Sequence, residues 1–194
     1  FGGVQRIGDE AFDSTGLLSV KFTSSVYIGA GAFSNCRSLL SVEFGQQSRI
    51  EDSTFANCDH LSAVGGLESV QTIGKFAFDG CKQMRSLVFS EALRSIGDYA
   101  FRGCDTYTEI DIPSSVTKIG KCLFGERSGF SSFTVPIADT NDFGRYVSPD
   151  SGTRCLTVKL RSDNVPDGYF NGFKQVETYD FSEVRTIGKQ AFRG

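Results

Sequence analysis

The chain has 194 residues, a formal net charge of −3 and a sequence pI near 5.2, and 39% of its residues are hydrophobic. This balance excludes a disordered, collagen-like or membrane-spanning chain, and the weak acidic charge offers no attraction to nucleic acid or anionic membranes. The single histidine, His60, excludes most metal sites and most catalytic schemes that depend on an imidazole.

An Ile-Gly pair followed by Ala-Phe recurs along the chain at steps of 21 to 24 residues. We number the repeats one to nine by their first residues, which are Ile7, Ile28, Ile50, Ile73, Ile96, Ile119, Phe143, Val165 and Ile187. These starts predict one repeat array over residues 1–194 with about eight repeats and a degenerate stretch near 136–164.

A second apolar block of the form L-x-x-V-x-I follows Ala-Phe in most repeats, as at Leu39, Val42 and Phe44. Its last part alternates apolar and polar residues, which predicts a short strand with one buried face. The Ala-Phe part is predicted to be a compact turn. Because a unit of this length cannot bury its apolar face alone, neighbouring repeats must stack, and the chain is predicted to form a curved solenoid.

The phenylalanine of Ala-Phe is expected to point inward and to stack between repeats. This predicts a structural core that includes Phe12, Phe33, Phe55, Phe78, Phe101, Phe124 and Phe170. The glycine after the starting residue, as in Gly97, completes no phosphate-binding motif. We expect it to serve a sharp turn with positive φ.

Four cysteines stand eight residues after the start of their repeats, and so form one predicted core column: Cys36, Cys58, Cys81 and Cys104. Strands about 4.8 Å apart would permit disulfides between neighbours. We assign Ser14, Arg127 and Phe173 to this column in other repeats, which favours packing as free buried thiols instead. The state of Cys122 and Cys155 stays open. No C-x-x-C pair exists, and we predict neither metal nor cofactor.

Repeat five shows the full pattern most clearly, with Ile96-Gly97, Ala100-Phe101, Cys104 and Ile112-Pro113. The pattern I-G-x-x-A-F-x-x-C-x-x-L-x-x-V-x-I-P resembles the BspA-like (Treponema pallidum type) leucine-rich repeat family over nearly the whole chain. The resemblance implies a right-handed coil with a parallel β-sheet on its concave face, short strands and turns elsewhere, and little helix. It also implies a cell-surface or secreted binding array.

The chain begins inside a repeat and stops two residues after Phe192, with no polar capping unit at either end. We therefore hypothesise that it is a piece of a longer array.

The outward side chains of the strand block are mostly small and polar, and they give the predicted sheet a surface of mixed charge. Within repeat seven, residues 137–154 lack Ala-Phe and are predicted to form a protruding loop. The candidate partner-binding residues on these two surfaces are Lys21, Glu43, Arg85, Val88, Glu109, Asp111, Arg145, Tyr146, Lys159 and Asp180.

No catalytic residue is assigned, because the acidic side chains are scattered over several repeats and His60 has no neighbouring nucleophile. We predict a non-catalytic, adhesion-like interaction module that binds a protein, or alternatively a glycan, and neither nucleic acid nor the membrane interior. The alternative is a structural spacer without a specific ligand. An enzyme-associated domain is the residual third hypothesis.

Overall fold

The computed structural model describes residues 3–85, 87–104, 106, 109–125, 130–137, 146, 155–174 and 176–194. Within these ranges the regular structure consists of short parallel strands, and no residue is helical. The strands are β1 (Arg6–Ile7), β2 (Ser19–Lys21), β3 (Tyr27–Ile28), β4 (Ser41–Glu43), β5 (Arg49–Ile50), β6 (Ala63–Gly65), β7 (Thr72–Ile73), β8 (Ser95–Ile96), β9 (Glu109–Asp111), β10 (Lys118–Ile119), β11 (Phe130–Pro136), β12 (Cys155–Arg161), β13 (Asn164–Val165), β14 (Val176–Asp180) and β15 (Thr186–Ile187).

The predicted solenoid of parallel strands is confirmed. The L-x-x-V-x-I blocks form two sheets, β2-β4-β6 and β9-β11-β12-β14, which we call the strand face. A second set of parallel ladders was not predicted: the starting isoleucines pair as β1-β3, β5-β7-β8-β10 and β13-β15, which we call the short ladders. Repeats one, two, three, five, six and eight therefore contribute two strands each to the solenoid, whereas the strand block of repeat four, predicted at Met84, Leu87 and Phe89, forms no strand in its described residues.

Phenylalanine rings form the central column of the core, as predicted. Successive rings from Phe12 to Phe124 are stacked, with centroids 5.2, 5.5, 5.5, 5.6 and 5.7 Å apart. The backbone repeats the same link, since the N–H of Phe78 donates to the carbonyl of Ala100 at 2.8 Å. Phe33 to Phe124 and Phe170 are at most 2% exposed, whereas Phe12, in the first repeat, is only partly buried.

The cysteine column lies beside these rings and is tied to them. The thiol of Cys58 donates to the carbonyl of Phe33 at 3.2 Å, and Cys36, Cys81 and Cys104 donate in the same way to the phenylalanine of the repeat before. All four are free and at most 1% exposed, as expected for packing residues. The assignment of Ser14 to this column was wrong: Thr15 occupies it, with its hydroxyl 3.2 Å from the Cys36 sulfur.

The expected positive φ at the glycines after the starting isoleucines was also wrong. Gly74, Gly97 and Gly188 have φ outside the left-handed region. Their requirement is space, because a Cβ on Gly97 would stand 2.5 Å from the backbone nitrogen of Lys75 in the preceding repeat. Adjacent repeats thus approach too closely here for any side chain.

The positive φ that closes each turn lies two residues further along. Every described repeat has φ between 46° and 66° at the third residue after its start, which is Glu10, Gly31, Ser53, Phe76, Tyr99, Cys122, Gly168 or Gln190. Only two of these eight residues are glycine. The stacked fold therefore holds the other six in a left-handed conformation that non-glycine residues usually avoid.

Tyr146 corrects the prediction of a protruding loop at the one described residue between 138 and 154. Its carbonyl accepts the N–H of Phe124 at 3.1 Å, which is the bond that the Ala-Phe alanine makes elsewhere. The side chain is fully buried, and its hydroxyl donates to the Pro136 carbonyl at 3.0 Å. Burial raises the pKa of this hydroxyl well above its ordinary value. Tyr146 therefore belongs to the core and takes the alanine position of repeat seven. That position lies four residues after the start in the other repeats, so the predicted start at Phe143 was one residue too late.

Replacing Phe101 by Ala should lower the free energy of unfolding by about 3–5 kcal/mol, because it empties a site packed between two other rings. Phe12→Ala is the matched control, since Phe12 lies in the first repeat and is only partly buried. Chemical denaturation should show a clearly smaller loss for Phe12→Ala. Equal losses would contradict the role of the continuous stack.

Gly97→Ala should destabilise the chain by about 1–3 kcal/mol, because the new methyl group collides with backbone rather than with a flexible side chain. Gly8→Ala makes the same chemical change where a Cβ would meet nothing within 4 Å. Its melting temperature should stay the same or rise slightly, since alanine restricts the unfolded chain. Similar melting temperatures for the two variants would refute the steric explanation.

Alkaline pH should weaken the fold through its buried thiols. Burial raises the pKa of Cys58 to about 12, whereas a thiol in an unfolded chain ionises near pH ~8.5. Between these values only the unfolded chain releases the proton, so the free energy of unfolding falls as pH rises, by at most about 1.4 kcal/mol per pH unit for this thiol. Denaturation of Cys58→Ser between pH 8 and 10 should show a shallower fall than the parent chain. Identical pH slopes would contradict this assignment.

Candidate binding face

The register of the strand face places outward side chains of successive repeats in columns. One column contains Lys21, Glu43 and Gly65 in the first sheet. Its counterpart in the second sheet contains Asp111, Thr134, Lys159 and Asp180. Lys21, Glu43, Arg85, Glu109 and Asp111 are exposed, and Lys159 and Asp180 are partly exposed. The structure thus places these candidates on the surface, and their part in binding stays a prediction.

Several charges of the second sheet are already engaged. The guanidinium of Arg161 donates to both carboxylate oxygens of Asp111, at 2.9 and 3.0 Å. Lys159 lies 3.7 Å from the Glu183 carboxylate. The backbone N–H of Ser182 donates to Asp180 and lowers the pKa of that carboxyl group. These groups are therefore less available to a partner than their sequence positions suggest.

Arg161 and Glu183 were missed by sequence reasoning. Arg161 ends β12, beyond the short strand block that the repeat pattern predicts, and it reaches Asp111 across 50 residues and over β11. No local pattern in the sequence indicates such a contact. Only the spatial stacking of three repeats brings the two groups together.

Arg85, Val88 and Glu109 differ from this compensated part of the face. Neither Arg85 nor Glu109 has an ion pair within the part of the chain that the structure describes. Val88 is 83% exposed, more than the other large apolar side chains exposed in that part. All three lie near the boundary between the two sheets, in repeats four and five.

The loop residue Arg145 lies outside the described ranges, so its predicted role is not addressed. Tyr146, the other candidate from that segment, is buried and cannot contact a partner from its present position. The exposed candidates that remain all belong to the strand face.

Among the described residues, the side chain of His60 contacts a backbone carbonyl. The imidazole is exposed, and its Nδ1 lies 2.6 Å from the Arg37 carbonyl of the preceding repeat. Among the residues that the structure covers, no group of three or more His, Cys, Asp or Glu side chains could hold a metal ion. His60 acts as a local link between two turns.

An aromatic cluster on the turn side of the solenoid was also missed. Phe76 and Tyr99 stack with ring centroids 5.2 Å apart, and the Arg102 guanidinium lies 5.3 and 5.4 Å from them. Two hydrogen bonds to Asp79 fix this guanidinium, at 2.9 and 2.5 Å, and raise the pKa of Arg102. The two rings are partly buried by each other and by Arg102. Packing at the surface is therefore enough to explain this cluster.

No helix long and apolar enough to cross a membrane occurs in the described ranges.

Comparisons with known proteins agree on the fold. A leucine-rich repeat protein from Bacteroides ovatus superposes with a TM-score of 0.71 at 22% identity, over 97% of this chain and 49% of that one. A leucine-rich cell surface protein from Faecalibacterium prausnitzii gives a TM-score of 0.51 at 22% identity, over 97% and 62%.

The chain thus spans about half and less than two thirds of these two structures, and identities this low establish the fold alone. Comparison with the curated proteins gives no match. The profile of the BspA type leucine-rich repeat region, in contrast, matches residues 5–131 and 107–194, with six copies. Together with the stacked parallel strands, this match shows that the chain belongs to the BspA-type leucine-rich repeat family.

Proposed function

We propose that the chain is a non-catalytic interaction module of a cell-surface or secreted protein, with an adhesion-like role, and that it binds a protein partner through the strand face. Families of leucine-rich repeats generally act as interaction scaffolds, because stacking produces an extended and rigid surface. A structure of the same fold is described as a cell surface protein, which supports the proposed location.

The observation that carries this proposal is that charged side chains are ion-paired in one part of the strand face and differ in this respect in another. Asp111 and Lys159 form ion pairs with neighbouring side chains, whereas Arg85 and Glu109 form none with the residues that the structure describes. The exposed Val88 lies three residues after Arg85 in the same repeat, so this part of the surface offers apolar area as well as charge. A binding surface uses both, since apolar contact supplies affinity and charge supplies specificity.

Arg85→Glu should weaken capture of a partner without affecting the fold. Immobilised chain is tested against a panel of purified extracellular-matrix proteins and matrix glycans, and affinities are measured for each ligand that binds. Because charge reversal replaces attraction by repulsion, we expect Arg85→Glu to weaken binding at least about tenfold, which corresponds to ~1.4 kcal/mol.

Lys118→Glu is the matched control, because it reverses an exposed charge on a short ladder, away from the strand face. Its affinity should stay within about twofold of the parent chain, and both variants should keep the parent melting temperature. Equal losses for the two variants would rule out the strand face as the binding surface. Absence of binding across the panel would favour the spacer.

A further inference from the structure

We propose that the groove between repeats three and four of the strand face binds an extended segment of a protein partner that carries an apolar side chain next to a lysine or arginine. The inference rests on the proposed function and deepens it, because it names the seat of binding and the chemistry of the partner.

The groove lies where the strand face is interrupted. β6 is the last strand of the first sheet, and β9 is the first strand of the second. Residues 87–90 of repeat four run between them without forming a strand, although their sequence fits the strand block. Within the described ranges, the backbone groups of Leu87, Val88 and Phe89 make no hydrogen bond to another backbone group. Among the described residues, the backbone ladder between repeats therefore does not use the N–H and C=O groups of these three residues.

The sequence of repeat three explains the interruption. Gly66 stands five residues after Leu61, where Phe44 and Phe89 stand in the repeats on either side. Its φ of 75° suits glycine, and a Cβ there would collide with the Phe44 carbonyl. Repeat three thus lacks the ring that would close the space beside Phe89, so the chain of repeat four is not held against β6.

The space that results is an apolar groove of about 190 Å³. Val64, Leu67, Val88 and Phe89 line it, and Val88 projects from it with 83% of its surface exposed. A cavity of about 150 Å³ admits a group as large as benzene. One leucine, methionine or phenylalanine side chain of a partner would therefore fit, and would remove the exposed surface of Val88 from water.

The charge around the groove selects the neighbouring residue of the partner. Glu68 is the one charged residue among those lining the groove, and it is exposed. The carboxylate of Glu43 lies over Gly65, in the place that a side chain at that position would take. Two carboxylates thus border the apolar walls, and no lysine or arginine is among the lining residues. A cationic residue beside the inserted apolar group complements this border.

An extended conformation of the partner follows from the backbone. Unpaired N–H and C=O groups at an interruption of a sheet favour a segment that can offer the complementary groups at strand spacing. A compact surface such as a helix would leave them without hydrogen bonds. The apolar groove, the acidic border and the unpaired backbone together define the partner segment.

Phage-displayed random linear nine-residue peptides, selected on the immobilised full chain, test this directly. We expect the enriched peptides to share an apolar residue next to lysine or arginine. For the synthesised peptides, Val88→Lys should raise the Kd at least tenfold. Glu68→Gln should raise it about threefold and reduce its dependence on salt.

Leu18→Lys is the matched control, because Leu18 is also an exposed apolar residue of the strand face, 61% exposed, but lies in repeat one. Its Kd should stay within twofold, and all variants should melt as the parent chain does. Failure to enrich peptides, enrichment without the apolar-basic pair, or an unchanged Kd for Val88→Lys would each overturn the inference.

The outcomes also separate this inference from the proposed function. Peptides that lose binding to Arg85→Glu but bind Val88→Lys normally would locate recognition on the strand face outside the groove, so the inference would fail and the proposed function would stand. If no peptide is enriched while a matrix protein binds in an Arg85-dependent manner, the same conclusion follows. If the parent chain binds neither a peptide nor a matrix ligand, both proposals are overturned.

Discussion

Hydrogen bonding between neighbouring repeats is the constraint on which the rest of the structure depends. Within the described ranges, most backbone bonds outside the turns run from one repeat to the next rather than within a repeat. They hold the repeats so close that a side chain would clash at glycines such as Gly97, beside the starting isoleucine, and that non-glycine residues such as Phe76 accept a positive φ. The same spacing sets the phenylalanine stack and brings each of the four column cysteines to a phenylalanine carbonyl. Side-chain columns are therefore a consequence of the backbone arrangement.

The repeated sequence predicts the parts of the fold that every repeat shares. The ring column, the cysteine column and the parallel strand block all follow from positions that recur at near-constant spacing. The short ladders were missed because two residues are too few to show an alternating pattern. The role of the glycines was misjudged because their constraint comes from the adjacent repeat, as Gly97 and Lys75 show. A local sequence carries no information on that approach.

The surface is less predictable for the same reason. The charged candidates that the structure describes on the strand face are exposed or partly exposed, as alternation predicts, but their ion pairs depend on which repeats lie side by side. Asp111 illustrates this, since its partner Arg161 belongs to a repeat two places further on. Tyr146 illustrates the opposite error: its spacing of 23 residues from both Leu123 and Tyr169 indicated a core position, and the missing Ala-Phe concealed it. Irregular repeats are best aligned by spacing first and by residue type second.

The buried thiol column has a consequence for the surroundings in which such a protein can persist. Proteins in oxidising compartments usually have their cysteines in disulfides. A free cysteine is oxidised there when its thiolate is accessible. Here Cys36, Cys58, Cys81 and Cys104 are shielded from solvent, and burial keeps Cys58 and Cys81 protonated well into alkaline solution. Sulfenic acid formation requires both access and ionisation. The folded array denies access to all four thiols and hinders ionisation at Cys58 and Cys81. Free cysteines in this column are accordingly compatible with an oxidising compartment for as long as the solenoid stays folded.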